Sequence, residues 1–225
     1  MRPSVIVFDV NETLSDLSPL AARFVEVGAP ASMAGLWFAS VLRDGFALTA
    51  AGESKPFADI AASLLRGMLP EAQLNRSVDD AVAWVLDGMT QLEPHADVAR
   101  GVRELAEQGL RLVTLSNGAA AIAEQLLTGA DLREQFEHVL SVDDAGVWKP
   151  DPRAYGYVAK VCGVEADDIM LVAVHPWDVH GASRAGLRTA WVNRTESPYP
   201  AVFEAPDHTV AGIEELADVL GSPTP

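Results

Sequence analysis

Four polar clusters in the chain carry side chains able to do covalent chemistry: Phe8-Asp9-Val10-Asn11-Glu12-Thr13-Leu14, Leu115-Ser116-Asn117-Gly118, Val147-Trp148-Lys149-Pro150-Asp151 and Val174-His175-Pro176-Trp177-Asp178. A carboxylate at the end of a strand can serve as a nucleophile, and a neighbouring ammonium lowers its pKa and keeps it ionised and reactive. Asp9 and Lys149 are the pair that fits. Taken one at a time, each cluster has a plainer explanation. An Asp after a strand often caps a turn, Ser-Asn-Gly is a common turn, and Lys-Pro-Asp starts a helix with proline in its first turn. Their joint order is the stronger signal, because an unpaired Lys or Asp at the mouth of a sheet is costly and these clusters compensate one another.

The elements that must position them are legible as apolar runs. Val5–Phe8, Leu110–Leu115, His138–Val142, Ile169–Val174 and Thr189–Val192, with a weaker run near His208–Val210, read as buried parallel strands. Helical patterns separate most of them. Residues 96–108 place Val98, Val102 and Leu105 on one face and stop at Gly109, while 151–162 and 177–185 are closed by Gly163 and Gly186. This alternation predicts an α/β fold, a doubly wound parallel sheet with right-handed crossovers, in which ligands collect at the carboxyl ends of the strands. Residues 17–92 hold helical patterns and no convincing strand, so they are read as a helical cap inserted into an α/β core of residues 1–16 and 93–225. Trp37, Val41, Leu42, Phe46 and Leu48 recur at helical spacing and are expected to pack that cap. The stretch from Gly221 to Pro225 reads as a frayed tail.

Composition narrows the function. With 225 residues, 49% apolar and 21% charged, the chain is a globular protein with a sizeable core. Its 32 acidic against 16 basic side chains give a net charge of -16, which leaves no basic field for nucleic acid or an acidic membrane. Any anionic ligand must then be caught by local positive groups. One cysteine, Cys162, excludes an intramolecular disulfide and favours a reducing cytoplasm. The first apolar run is too short for a signal peptide and Asp9 interrupts it, and no other run approaches the ~20 apolar residues of a membrane span. Exposed apolar residues of the cap are candidates for a homodimer interface.

Through Phe8–Leu14, Leu115–Gly118, Lys149-Pro150-Asp151 with Tyr155, and Trp177-Asp178 leading through Gly181-Ala182 to Trp191-Val192-Asn193-Arg194, the chain resembles the haloacid dehalogenase superfamily over nearly its whole length. Within it, the chain is most similar to the 2-haloacid dehalogenases. The resemblance implies a Rossmann-like core with an inserted cap and a hydrolase with no cofactor and no metal, acting on a small anionic halogenated carboxylic acid. Asp9 would attack the halogen-bearing carbon and displace halide, leaving an aspartyl ester that water hydrolyses to a 2-hydroxy acid. Thr13 and Lys149 would be its positioning and charge partners, and Asp178 would orient Lys149 and the water, with Tyr155 in support. Ser116 and Asn117 would hold the substrate carboxylate or departing halide. Backbone N–H groups following Asp9 and Ser116, the first being that of Val10, would stabilise the oxyanion, with Asn11 and Trp177 completing the substrate site.

A phosphatase of the same superfamily is the alternative. Such enzymes use a second Asp two positions after the nucleophile and an acidic residue that helps hold Mg²⁺, and here those places are Asn11 and Val174. A catalytically silent binding protein is the other alternative, against which Asp9, Thr13, Ser116, Lys149 and Asp178 stand together. The chain also departs from the dehalogenase pattern. Phe38 follows Trp37 where the family has an Arg, and Arg43, five residues on, is a candidate for the halide or substrate carboxylate. Ala173 and His175 replace a Ser and an Asn, and Glu12 replaces a Gly. His175 is a candidate to activate water or to act as a structural hydrogen-bonding residue. Phe38, Arg43 and His175 are expected to set substrate range.

Overall fold

The computed structural model describes residues 2–221, so the tail expected to fray lies outside the described residues beyond Gly221. Six strands form one all-parallel sheet: β1 (Val5–Phe8), β2 (Arg111–Ser116), β3 (Phe136–Ser141), β4 (Ile169–Ala173), β5 (Arg188–Val192) and β6 (His208–Val210). Their order is β3-β2-β1-β4-β5-β6. The chain builds outward from β1 to β3, then crosses back to start β4 on the other side of β1. That reversal makes the carboxyl end of β1 the switch point where a parallel sheet opens a crevice. Phe8 pairs with both Thr114 and Val172, which brings the exits of β2 and β4 level with Asp9.

Apolar residues of β1 alternate between the two faces and are fully buried, as a central parallel strand requires. Ile6 and Phe8 pack with Val98, Val102 and Leu105 of α5 (Val98–Glu107). Val5 and Val7 face the other layer, which includes α8 (Pro152–Cys162) and α9 (Pro176–Arg184) and continues into the helices that follow β1. Those are α1 (Leu20–Glu26), α2 (Met33–Ala50), α3 (Phe57–Met68) and α4 (Val78–Met89). The remaining helices are α6 (Ala120–Gly129), α7 (Val142–Ala145) and α10 (Ile213–Gly221). No helix among the described residues is long and apolar enough to cross a membrane.

Trp37, Val41 and Leu42 join the apolar layer as their spacing predicts, with Trp37 Nε1 donating to the Ala61 carbonyl at 3.1 Å. The chain enters and leaves the helical segment side by side, Asp16 N–H donating to the Glu93 carbonyl at 2.8 Å. Trp148 closes the seam from the sheet side. Its indole donates to the Lys55 carbonyl at 3.0 Å and stacks on Phe57 at 6.1 Å.

Several strand ends differ from the sequence expectation by one or two residues, and three of them have a local reason. Leu110 N–H still bonds to the Leu105 carbonyl, so β2 starts one residue later. Ser141 caps the short α7, accepting from Asp143 N–H, so β3 runs Phe136–Ser141 and Val142 turns helical. Val174 leaves the ladder because its N–H donates to Thr13 Oγ1, so β4 ends at Ala173.

Gly45 is where α2 meets Trp148: an added Cβ would lie 2.4 Å from the indole ring. Gly45→Ala is therefore expected to lower stability by about 1–3 kcal/mol, as overpacking does in a filled interior. Urea unfolding checks this, and an unchanged midpoint would mean that the ring yields freely.

Candidate active site

Asp9 leaves β1 with its backbone N–H donating to the Val172 carbonyl at 3.0 Å, so strand pairing fixes the chain up to the residue that carries the carboxylate. The side chain is 4% exposed and held from three directions. Lys149 Nζ donates to Oδ1 at 2.9 Å. Thr13 Oγ1 donates to Oδ2 at 2.7 Å, and His175 Nδ1 lies 3.1 Å from the same oxygen. A carboxylate oxygen accepts about two hydrogen bonds. Oδ2 has both, so Oδ1 is the oxygen with acceptor capacity left for attack.

Lys149 is fully buried and shared, its Nζ also donating to Asp178 Oδ2 at 2.6 Å. The Tyr155 hydroxyl donates to Asp178 Oδ1 at 2.6 Å. Asn117 clamps the backbone of Lys149, accepting from its N–H at 3.0 Å and donating to its carbonyl at 3.3 Å, so this amide faces the lysine. Ser116 Oγ accepts from Gly118 N–H at 2.8 Å, which turns the chain after β2. Gly181, three residues beyond Asp178, lets α9 approach: a Cβ there would lie 2.6 Å from Pro150 Cβ and 2.7 Å from the Tyr155 hydroxyl.

Burial opposes charge on Asp9, but the Lys149 charge and the His175 hydrogen bond outweigh it and hold the carboxyl well below the usual range. Burial likewise opposes charge on Lys149, where two carboxylates push the ammonium pKa up. Asp178 moves the other way, raised by burial despite Lys149, with Asp9 adding to the rise. Burial and then the Asp178 charge push the Tyr155 phenol up. His175 is raised from 6.5 to about 9, because its hydrogen bonds and charge interactions with Asp9 and Glu12 exceed the cost of burying a cation.

Sequence reasoning gave Glu12 no account, and the structure supplies one. Glu12 has φ of 62°, the left-handed region in which glycine is at ease, and its Oε2 lies 2.8 Å from His175 Nε2. The two departures from the family pattern are thus one contact. His95 and Arg194 were also missed as site residues. His95 Nε2 bonds the Glu12 carbonyl, and Arg194 joins the Thr13 carbonyl at 2.9 Å to Asp97 at 2.7 Å, both bracing the loop after β1. The signal for Arg194 was its place just beyond β5, among the other strand exits.

Phe38 is buried with its ring 6.5 Å from that of His175, and the Trp177 ring lies 5.1 Å from that of His175. Val10 and Asn11 are buried in the loop after Asp9. Arg43 is not brought to the cluster. Its side chain is 66% exposed and pairs with Asp44, because five residues carry it past the buried face of α2 that holds Phe38. A cavity of about 550 Å³ lies between the helical segment and the sheet, lined by Glu12, Leu20, Phe38, Val174, His175 and Arg194 among others.

Residues 3–186 match the haloacid dehalogenase-like hydrolases. The chain belongs to this family. It is 31% identical to the (S)-2-haloacid dehalogenase of Pseudomonas putida over 96% of this chain and 95% of that one. Among solved structures it is similar to a dehalogenase captured as an intermediate complex, with a TM-score of 0.91, 26% identity and 99% of both chains covered. It is also similar to the L-2-haloacid dehalogenase of Xanthobacter autotrophicus with chloropropionic acid covalently bound, with a TM-score of 0.87 and 25% identity over 99% of this chain and 100% of that one. Some haloacid dehalogenase-like hydrolases hold magnesium, but the donor set here does not fit a cation. Lys149 and His175 flank Asp9, Val174 offers no side-chain ligand, and no group of three His, Cys, Asp or Glu among the described residues is arranged to hold a metal.

Removing the shared ammonium would leave two buried carboxylates facing each other. Lys149→Met is expected to cost about 3–5 kcal/mol by chemical unfolding at neutral pH. A variant as stable as the parent would show that the pair is not stabilised by the ammonium. His175 gives a second expectation with a defined sign. Its folded pKa lies above the unfolded value, so its contribution is complete below 6.5 and disappears as pH rises toward about 9. The stability gap between the parent and His175→Asn should therefore shrink across that interval, and a constant gap would exclude a charged His175.

Proposed function

We propose that the chain is a hydrolytic dehalogenase that converts short 2-haloalkanoic acids to 2-hydroxy acids through a covalent ester on Asp9. The observation that carries this reading is a buried carboxylate kept ionised by Lys149, with Oδ1 accepting from Lys149 and keeping capacity to attack, and Asn11 in place of a second acid. Halide departs without protonation, so the neutral Asn11 is no handicap, whereas a phosphate ester's alkoxide would leave unprotonated. In the first step Asp9 Oδ1 bonds to the halogen-bearing carbon as the carbon–halogen bond breaks and halide leaves with the electron pair. Water then attacks Cγ, and the ester opens to a 2-hydroxy acid and the Asp9 carboxyl, which releases one proton to solvent and is regenerated as a carboxylate.

Thr13 and Lys149 position the nucleophile, and Asp178, aligned by Tyr155, receives the proton of the attacking water. Ser116 and the backbone N–H groups after Asp9 and Ser116 face the substrate, while Phe38 and Trp177 form an apolar wall for the halogen. Asn117 serves by fixing Lys149. Residues 17–92 act as a cap that excludes bulk water from the ester. The same reading places the enzyme in the cytoplasm with no nucleic-acid partner. It also allows self-association through exposed apolar residues of the cap, Val25 and Leu36 among them. The names of the relatives support the (S) enantiomer as the substrate.

Halide release from (S)-2-chloropropionate, measured beside the (R) enantiomer and beside phosphate release from a generic ester, tests the reading. Turnover of the (S) acid alone is expected, and Asp9→Asn should abolish it. A single turnover in ¹⁸O-water should place the label in Asp9 first, and label appearing directly in the product would exclude the ester. Activity should survive EDTA, whereas a loss restored by Mg²⁺ would favour the phosphatase.

A further inference from the structure

We infer that His175, held as an imidazolium between Asp9 and Glu12, is the charged donor to the Asp9 oxygen that becomes the oxyanion during ester hydrolysis, with Glu12 as the positioning residue that keeps it charged. The inference rests on the dehalogenase reading and adds to it a residue and a charge state.

The charge state follows from hydrogen-bond geometry. His175 Nδ1 lies 3.1 Å from Asp9 Oδ2 and Nε2 lies 2.8 Å from Glu12 Oε2. Ionised carboxylates only accept, so each ring nitrogen must donate, and a ring donating from both nitrogens is an imidazolium. A neutral ring acting as a base would turn a lone pair of Nδ1 toward Asp9 Oδ2, placing two acceptors in contact. The geometry therefore favours a donor over the water-activating base that the sequence allowed.

The role follows from which oxygen is engaged. Attack through Oδ1 leaves Oδ2 as the ester carbonyl oxygen, and Oδ2 is the one that Thr13 and His175 already hold. When water bonds to Cγ, the carbonyl π pair moves onto Oδ2. One water proton passes to the Asp178 carboxylate and then to the 2-alkoxide as the Cγ–Oδ1 bond breaks, and the second, left on the Asp9 carboxyl, is released to solvent to restore the carboxylate. His175 keeps its proton throughout and meets the new negative charge with a charged, already oriented N–H.

Several groups set this charge. Asp9 and Glu12 contact the ring directly, and His95 braces the Glu12 carbonyl at 3.0 Å. Lys149 lies on the far oxygen of Asp9, with Asp178 behind it. Asp16 and Arg194 line the same cavity, while Phe38 and Trp177 present rings. Once Asp9 has lost its charge to the ester, Glu12 is the carboxylate that, among the described residues, remains in contact with the imidazolium. A glutamate in a left-handed backbone position is costly, and this contact is its compensation.

Rapid-quench kinetics with (S)-2-chloropropionate, following halide and the mass of the Asp9 peptide, tests the role in His175→Asn and Glu12→Gln. For His175→Asn we expect ester hydrolysis to slow about 100-fold or more, with a much smaller change in ester formation. Halide should then appear as a burst of one equivalent while esterified Asp9 accumulates. Glu12→Gln should move the alkaline fall of the hydrolysis rate to lower pH. Ring ¹⁵N shifts in the parent should show both His175 nitrogens protonated at neutral pH, a readout that needs no turnover. Equal slowing of both steps, an alkaline limb unmoved by Glu12→Gln, or a neutral His175 would each overturn the inference. A parent enzyme that releases no halide overturns the dehalogenase reading and the donor role with it. That failure is distinct, because no variant then shows a burst while the ¹⁵N signature of the charged ring persists.

Discussion

The ammonium of Lys149 between Asp9 and Asp178 is the constraint on which the rest of the site depends. A buried cation flanked by two buried carboxylates is costly to assemble and tolerable only when every partner is in place. Its partners come from three separate parts of the chain: the exit of β1, the loop before α8, and the first turn of α9. Strand pairing brings the first into position, Asn117 clamps the second, and Tyr155 with the missing side chain at Gly181 seats the third. The result is a carboxylate that remains ionised and fixed in position at 4% exposure.

The overall charge makes this local arrangement necessary. A chain with a net charge of -16 repels an anionic ligand at long range, so the attraction must be short-range and built into the site. Lys149, His175 and Arg194 are the cations near the crevice, and each is tied to an acidic side chain that holds its geometry. Such pairing limits the field they project into solvent, yet within a few ångströms it leaves oriented N–H groups. On the dehalogenase reading, selectivity for a small anion then arises from fit and orientation more than from steering.

Much of the fold was legible because burial and period are local signals. The central strand announced itself as four apolar residues ending in Asp9, and the helix-closing glycines at 163 and 186 adopt the positive φ that their position demanded. The switch into α7 was not legible, since Ser141 reads equally well as the end of a strand or as a cap until its partner, Asp143 N–H, is in space. Arg43 misled because helical spacing from Phe38 gives an angle and not a neighbour, and α2 turns that angle outward to Asp44. Glu12 was opaque for a deeper reason: nothing within its own segment explains a glutamate there, and its partner lies 163 positions along the chain.

That distant pairing changes how departures from a family pattern should be weighed. Read separately, a charged residue where the family has glycine and a histidine where it has asparagine are two unrelated losses, one of backbone freedom and one of a neutral hydrogen-bond donor. In space they are a single carboxylate–imidazolium contact, 2.8 Å long, joining the loops after β1 and β4 beside Asp9. Glu12 without the histidine is a strained backbone with an unmatched carboxylate, and His175 without the glutamate depends for its charge on Asp9 alone. Neighbours that share a partner do not contribute independently. Conversion of either residue to the family type therefore removes more than its own side chain, and the two positions form one functional unit within an otherwise familiar site.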